Sequence, residues 1–337
     1  IVSPLWGNLA DQKGRKLMCL RASGVMTFTI FAVGLVHHAW TIVLLRFVQG
    51  ALSGYINNAT AFMAGETPHN RSGAVMANMM TANVTGNLLG PLVGGLLAGF
   101  AGYRVTFFVC GAMMGIVFLL TLFNTKEHFT PIPAKKMKPM KEIFAQLENK
   151  QLIIAMFITT LFIQSALMSI APIVSLLVKS LMHGTGNVSF VSGVVAAMPG
   201  FGTLLVASRL GVKMDKIGPL KVLVFGLVAA MVVFLPMYFV TSPWSLGFWR
   251  FLLGIANAAL LPAVQTVLTV SVPREAFGRI FSYNQSFQAA GAMLGSMMGS
   301  LISGLFNYQA VFLVTAALMA LNLLLIWKVH RPLENEK

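Results

Sequence analysis

Apolar runs of about twenty residues, the length of helix that crosses a hydrocarbon core roughly 30 Å thick, recur along this 337-residue chain. Nearly all of its charge is gathered in the short stretches between them. Hydrophobic residues make up 57% of the chain and charged residues 10%, with a mean hydropathy of +0.79. Soluble domains carry about 25% charged residues, so the pattern predicts an all-α membrane protein. Ile1–Trp6 reads as the tail of a span. Full spans follow at about 20–37, 41–63, 73–97, 104–124, 151–179, 187–209, 220–240, 244–268, 279–303 and 308–328. That gives ten complete helices and a stub. A first bundle occupies residues 1–124, a linker with Pro131, Pro133, Pro139 and several lysines residues 125–150, a second bundle 151–328, and a charged tail 329–337.

The net charge of +15 does not describe a nucleic-acid surface, because the bases lie in clusters between apolar runs. The loops at 7–21, 65–72, 125–150, 209–221 and 271–279, with Lys328 and the C-terminal tail that follows it, hold 20 of the 24 Lys and Arg. Basic residues concentrate in cytoplasmic loops and face anionic headgroups, so these loops and the tail are expected in the cytoplasm. Arg104 and Lys179 fall on the opposite face, while Arg46 and Arg250 lie within spans. Cys19 and Cys110 fall beside or within apolar stretches, and six scattered His show no ligand spacing, so neither a disulfide framework nor a metal site is expected. No nucleophile arrangement and no phosphate-binding Gly-Lys-Ser/Thr loop is present, and no enzyme activity or cofactor is expected.

The two halves repeat one another. Gly7, Asp11 and Gly14 recur as Gly211, Asp215 and Gly218, 204 residues later, and Arg46–Gly50 recurs as Arg250–Gly254 at the same offset. Gly86, Gly90 and Gly94 match Gly291, Gly295 and Gly299 at an offset of 205. Gln151 precedes Gly211 by 60 residues whereas only 6 precede Gly7. The repeat therefore predicts about 54 further residues ahead of Ile1, enough for one helix and most of a second, and a parent of twelve helices.

Three stretches carry a resemblance: Gly7-Asn8-Leu9-Ala10-Asp11-Gln12-Lys13-Gly14-Arg15-Lys16, then Arg46 with Gln49 and Gly50, then Gly86-Asn87-Leu88-Leu89-Gly90-Pro91-Leu92-Val93-Gly94-Gly95. They resemble motifs A, B and C of the major facilitator superfamily, the third typical of its drug:proton antiporters. The resemblance spans essentially the whole chain. It implies two pseudo-symmetric helix bundles, each of 3+3 inverted repeats, rocking about a midplane site. It also implies a latch in which Asp11 faces the positive N-terminal end of the helix near Phe277–Arg279 and pairs with Arg15 or Arg71, beside Lys16. The competing reading is a solvated turn that only sets topology. Pro219 and Leu220 replace the bases in the second copy, so Asp215 is the weaker half.

Arg46 is implied to help a nearby carboxylate gain and lose a proton, with Arg250 as its second-half counterpart; snorkelling to the outer headgroups is the alternative for both. Gly86, Gly90 and Gly94 share one helical face with Gly95 beside them, and Pro91 bends that helix. Packing against the small residues Gly193, Pro199, Gly200 and Gly202, and a surface that slides during transport, are both open readings. Asn57, Asn58, Gln164, Asn257, Gln265, Tyr283, Asn284 and Gln288 are polar residues inside spans. They either face a central cavity or tie helices together, a bond worth on average about 0.6 kcal/mol. The abundant Met and Phe suit a deformable, greasy cavity, and lipid-facing helix surfaces account for them more simply.

All nine acids lie in loops, linker, tail or span ends. A proton-carrying carboxylate at mid-span is therefore expected in the residues ahead of Ile1; otherwise Asp11 or Glu66 serves, or coupling is not by protons. Together these readings predict a monomeric proton antiporter of the bacterial inner membrane. It would export amphipathic drugs, with the lipid bilayer and protons as its other partners. A carrier for one metabolite such as a sugar, and a receptor that binds without transporting, stay open beside it.

Overall fold

The computed structural model describes residues 6, 9, 13–52, 54–66, 72–127, 149–183, 186–272 and 277–334. Among them every regular element is a helix. They run in the order α1 (Arg15–Leu35), α2 (Ala39–Leu52), α3 (Tyr55–Glu66), α4 (Ser72–Asn124), α5 (Lys150–Ile170), α6 (Val174–Leu181), α7 (Val188–Ile217), α8 (Pro219–Met237), α9 (Pro243–Asn257), α10 (Leu260–Ser271), α11 (Phe277–Leu305) and α12 (Ala310–Glu334). Seven helical stretches of the described residues are long and apolar enough to cross a membrane, and α2 is a shorter apolar helix.

The apolar runs fall on helices because a backbone in hydrocarbon must bond to itself. The helices differ from the hydropathy spans in where they break. The run at 41–63 divides at Gly54, whose φ of +110° ends α2 and starts α3. The runs at 73–97 and 104–124 lie in α4 as two helical arms that meet at a kink at Gly102, whose φ of +83° and ψ of 163° are not helical. Those at 151–179 and 244–268 each divide into two helices.

The helices gather into two compact units, residues 1–86 with 96–137 and residues 87–95 with 138–337. In the first unit α1 lies against the second arm of α4. A Cβ on Gly34 would stand 2.8 Å from Phe108, and one on Gly111 2.5 Å from Phe31. Tyr55 and Thr121 join α3 to the same arm through their hydroxyls at 3.3 Å. Large apolar side chains such as Phe28, Trp40, Phe47 and Phe100 point outward, as suits surfaces solvated by lipid tails.

The second unit has a dense core built from Ile153, Met156, Leu223, Leu227, Phe234, Leu246 and Phe312. At its centre α5 is held by α11 and α12. Cβ atoms on Gly291, Gly295 and Gly299 would run into the carbonyls of Leu161, Ser165 and Ser169, so the two backbones meet directly. Hydroxyls on α5 secure the seam: Thr160 donates to Asn284 Oδ1 at 2.7 Å, Thr159 to Asn322 Oδ1 at 2.9 Å, and Ser165 to the Gly291 carbonyl at 3.0 Å. Such small-residue seams and interhelical hydrogen bonds replace the hydrophobic drive that lipid removes.

Candidate functional site

The turn ahead of α1 comes first. Gly7, Asp11 and Arg71 lie outside the described residues, and of Asp215 only the backbone, in α7, is described. What is described is the way α1 begins. Gly14 has φ +97° and ψ 147°, a conformation that a side chain would strain. It delivers the first backbone N–H groups of α1 to the Glu127 carboxylate, which accepts from Arg15 N at 2.6 Å and Lys16 N at 3.0 Å. The Lys16 ammonium answers by donating to the carbonyls of Leu122 (3.1 Å) and Thr125 (2.7 Å), at the end of α4. An anion thus sits on a helix N-terminus and a cation on a helix C-terminus, each opposing the local dipole charge. Nearby, the Arg21 guanidinium stacks 3.4 Å above the Trp6 ring, and Trp6 Nε1 donates to the Ala51 carbonyl at 2.8 Å. Glu127 was not singled out by the sequence. Its one signal was an acid placed immediately after a long apolar run.

Arg46 projects from α2. It is exposed, donates to Gln49 Oε1 at 3.0 Å, and lies 5.9 Å from the centre of the Phe107 ring. A Cβ on Gly50 would meet nothing within 4 Å.

In the second unit the segment 87–95 of α4 approaches α7. A Cβ on Gly95 would stand 2.9 Å from Gly193 Cα, one on Gly193 2.6 Å from the Pro91 carbonyl, and one on Gly200 3.0 Å from the Leu88 side chain. The edge that touches α7 is therefore Leu88, Pro91 and Gly95. Gly86, Gly90 and Gly94 face open space among the described residues.

Arg250, on α9, belongs to a tight crossing with α7. A Cβ on Gly254 would strike the Pro199 backbone, and one on Gly202 the Phe251 carbonyl. Thr203 Oγ1 donates to the Gly254 carbonyl at 3.0 Å, and Arg250 Nε to the Val195 carbonyl at 3.0 Å. Val195 stands four residues before Pro199. Proline has no N–H, so the Val195 carbonyl is left without its helical partner, and Arg250 takes it.

The polar residues divide. Asn284 is buried in the α5–α11 seam by its bond to Thr160. Asn58 turns back to the Gly54 carbonyl at 3.0 Å. Tyr283 is exposed; Gln164, Asn257, Gln265 and Gln288 are half-buried; the side chain of Asn57 lies outside the described residues. Cys19 and Cys110 are free thiols, and no group of three His, Cys, Asp or Glu gathers among the described residues.

Two compact units of apolar helices, locked by glycine seams, form the fold of a membrane carrier, and the chain belongs to the Major Facilitator Superfamily, whose family model matches residues 1–211 and 173–337. Within that superfamily it is 45% identical over 331 residues to the multidrug resistance protein MdtG of Citrobacter koseri, covering 98% of this chain and 82% of the relative. It is 45% identical over 327 residues to MdtG of Salmonella arizonae, covering 97% and 81%. Among solved structures, the nucleoside transporter NupG superposes with a TM-score of 0.79 at 15% identity, over 98% of this chain and 87% of that one. A bacterial homologue of the human lysosomal transporter Spinster, inward-facing, superposes at 0.77 and 16% identity, over 98% and 86%. These likenesses show the fold, and the chain is a multi-span membrane transporter rather than an enzyme.

Proposed function

We propose that this transporter exports amphipathic small molecules from the cytoplasm in exchange for protons, exposing its site to one face of the inner membrane at a time. The observation that carries the reading is the contact of Gly95 with Gly193. There the glycine–proline segment that resembles the antiporter motif touches α7 backbone to backbone. A joint without interlocking side chains can slide or reseal at little cost, whereas interdigitated side chains would have to be withdrawn. The relatives named as multidrug resistance proteins support drugs as the cargo.

In this reading Asp11 latches the cytoplasmic turn, with Arg15, Lys16 and Arg71 around it, and the turn is held in shape by Glu127. Arg46 adjusts the proton affinity of a carboxylate, positioned by Gln49. Asp215 and Arg250 are the second-half counterparts, and the half-buried Gln164, Asn257, Gln265 and Gln288 face the cargo. The protein works as a monomer with its basic loops and tail in the cytoplasm.

The test is dye accumulation in cells stripped of other efflux pumps, with and without a proton uncoupler. Expression is expected to lower accumulation, and the uncoupler to restore it. Export that ignores the uncoupler would remove the proton; facilitated uptake of one metabolite, or binding without transport, would remove the drug pump.

A further inference from the structure

Arg250 is the eighth residue of α9, and its acceptor Val195 is the eighth of α7. At 1.5 Å of rise per residue each stands about 10 Å from its helix start, within hydrocarbon depth. The guanidinium does not snorkel out. Its Nε is pinned at that depth by the one carbonyl that Pro199 leaves vacant. One of five N–H donors is spent there, and the four on the two Nη atoms form the planar edge that fits a carboxylate or sulfonate bidentately.

No acidic side chain among the described residues pairs with this charge. Asp215 lies twenty residues farther along α7, about 30 Å away by helix rise. If Arg250 served only to tie α9 to α7, a neutral donor such as Gln would fill the Val195 carbonyl without burying a charge. The residue is half-buried.

We propose that Arg250 is an anion-recognition point of this transporter, binding the carboxylate or sulfonate of an otherwise apolar molecule against a guanidinium fixed by the proline-vacated carbonyl. The inference deepens the export reading and rests on it only for the direction in which the molecule travels.

The test is equilibrium binding to the purified protein in neutral detergent. Its probe is a fluorescent amphiphile ending in a carboxylate, and the control is the same skeleton as its primary amide. The wild type is expected to bind the acid at least tenfold more tightly than the amide. Arg250→Gln, which keeps an N–H for Val195, should erase that preference and leave amide affinity within twofold. Arg250→Lys should keep part of it. Pro199→Ala restores the competing N–H, frees the guanidinium, and should weaken acid binding several-fold. Equal binding of acid and amide by the wild type, or a preference that survives Arg250→Gln, overturns the proposal; so does an equal loss of both probes in a variant that melts like the wild type. Should Arg250→Gln fail to fold, the wild-type preference and the Pro199→Ala shift decide alone. Acid-selective binding without uncoupler-sensitive efflux would leave the site standing and remove only the export reading.

Discussion

Two rows of glycines with the same spacing meet different fates in this molecule. Gly291, Gly295 and Gly299 on α11 rest on the carbonyls of α5, whereas Gly86, Gly90 and Gly94 on α4 meet nothing among the described residues. The rows are related by the 205-residue repeat, so their sequences alone promise the same seam. What separates them is the partner. Residues 150–170 supply carbonyls and hydroxyls to the second row, and among the described residues no such backbone comes within reach of the first. A similar contrast holds for the arginines. Arg250 finds a carbonyl that Pro199 has vacated, while Arg46 bonds along its own helix to Gln49. A small-residue row or a buried-looking cation is thus half of an interaction, and the other half must be located before a role is assigned.

The sharpest way to break this comparison is to fill one glycine in each row. Gly295→Leu drives its side chain into the Ser165 carbonyl. Overpacking typically costs about 1–3 kcal/mol, and backbone is less yielding than side chain, so little folded protein is expected by size exclusion in detergent. Gly90→Leu enters open space and should melt within about 1 kcal/mol of wild type, as surface changes do. Any transport it loses then reports on motion rather than folding. Equal damage from both would mean that the first row is as tightly seated as the second.

The seam's hydroxyls come next. Thr160→Val keeps the shape and strands Asn284 Oδ1, buried without its donor. Leaving such a group unsatisfied costs about 1–3 kcal/mol, while interhelical bonds in membranes average about 0.6, so a loss near 1 kcal/mol is expected in chemical denaturation. Asn284→Leu together with Thr160→Val should regain most of it, since neither partner is then stranded. Failure of that rescue would separate Asn284 from the seam and return it to the cavity.

Much of this fold was legible because bilayer thickness sets the length of each apolar run and a backbone in hydrocarbon has no partner but itself. The spans at 20–37, 220–240 and 308–328 each fall on one helix, overrunning one end of it by two or three residues. The breaks were less legible: Gly54 and Gly102 adopt positive φ, yet Gly50 and Gly111, with the same side chain, continue their helices. Long-range pairs were least legible of all. Glu127 reaches residues 111 and 112 positions away, and the acceptor of Arg250 follows only from knowing that α7 and α9 cross at Pro199. For Asn284 the cavity and the interhelical tie stay equally open in the sequence, because a polar residue in an apolar run carries no mark of which neighbour it faces.

Glu127→Ala should have a moderate effect on the first unit. It removes the anion from the start of α1 and leaves two backbone donors without their acceptor, and an anion at a helix N-terminus is worth about 0.3–1 kcal/mol, up to ~2 when partly buried. A fall in melting temperature of a few degrees is expected, Glu127→Asp falling between the two. An unchanged melting temperature, with unchanged protease access at Lys13–Lys16, would show that Gly14 alone holds the turn.

Gln49→Ala is expected to have the smallest effect, and it asks the narrowest question. Arg46 is exposed and its bond to Gln49 spans one turn of α2, the kind of pair worth about 0.2–0.5 kcal/mol in a helix. Melting should hardly move. If Gln49 positions Arg46 for proton exchange, however, the variant should export at a lower maximal rate with an unchanged half-saturating cargo concentration, because the cargo's binding groups are untouched. Gln49→Glu supplies a counter-charge in place of the amide oxygen, so its export rate should depend on external pH differently from the wild type's. A rate and a pH profile identical to wild type in both variants would leave Arg46 without a positioning partner on α2. The contrast with Arg250, fixed from a neighbouring helix, would then be complete.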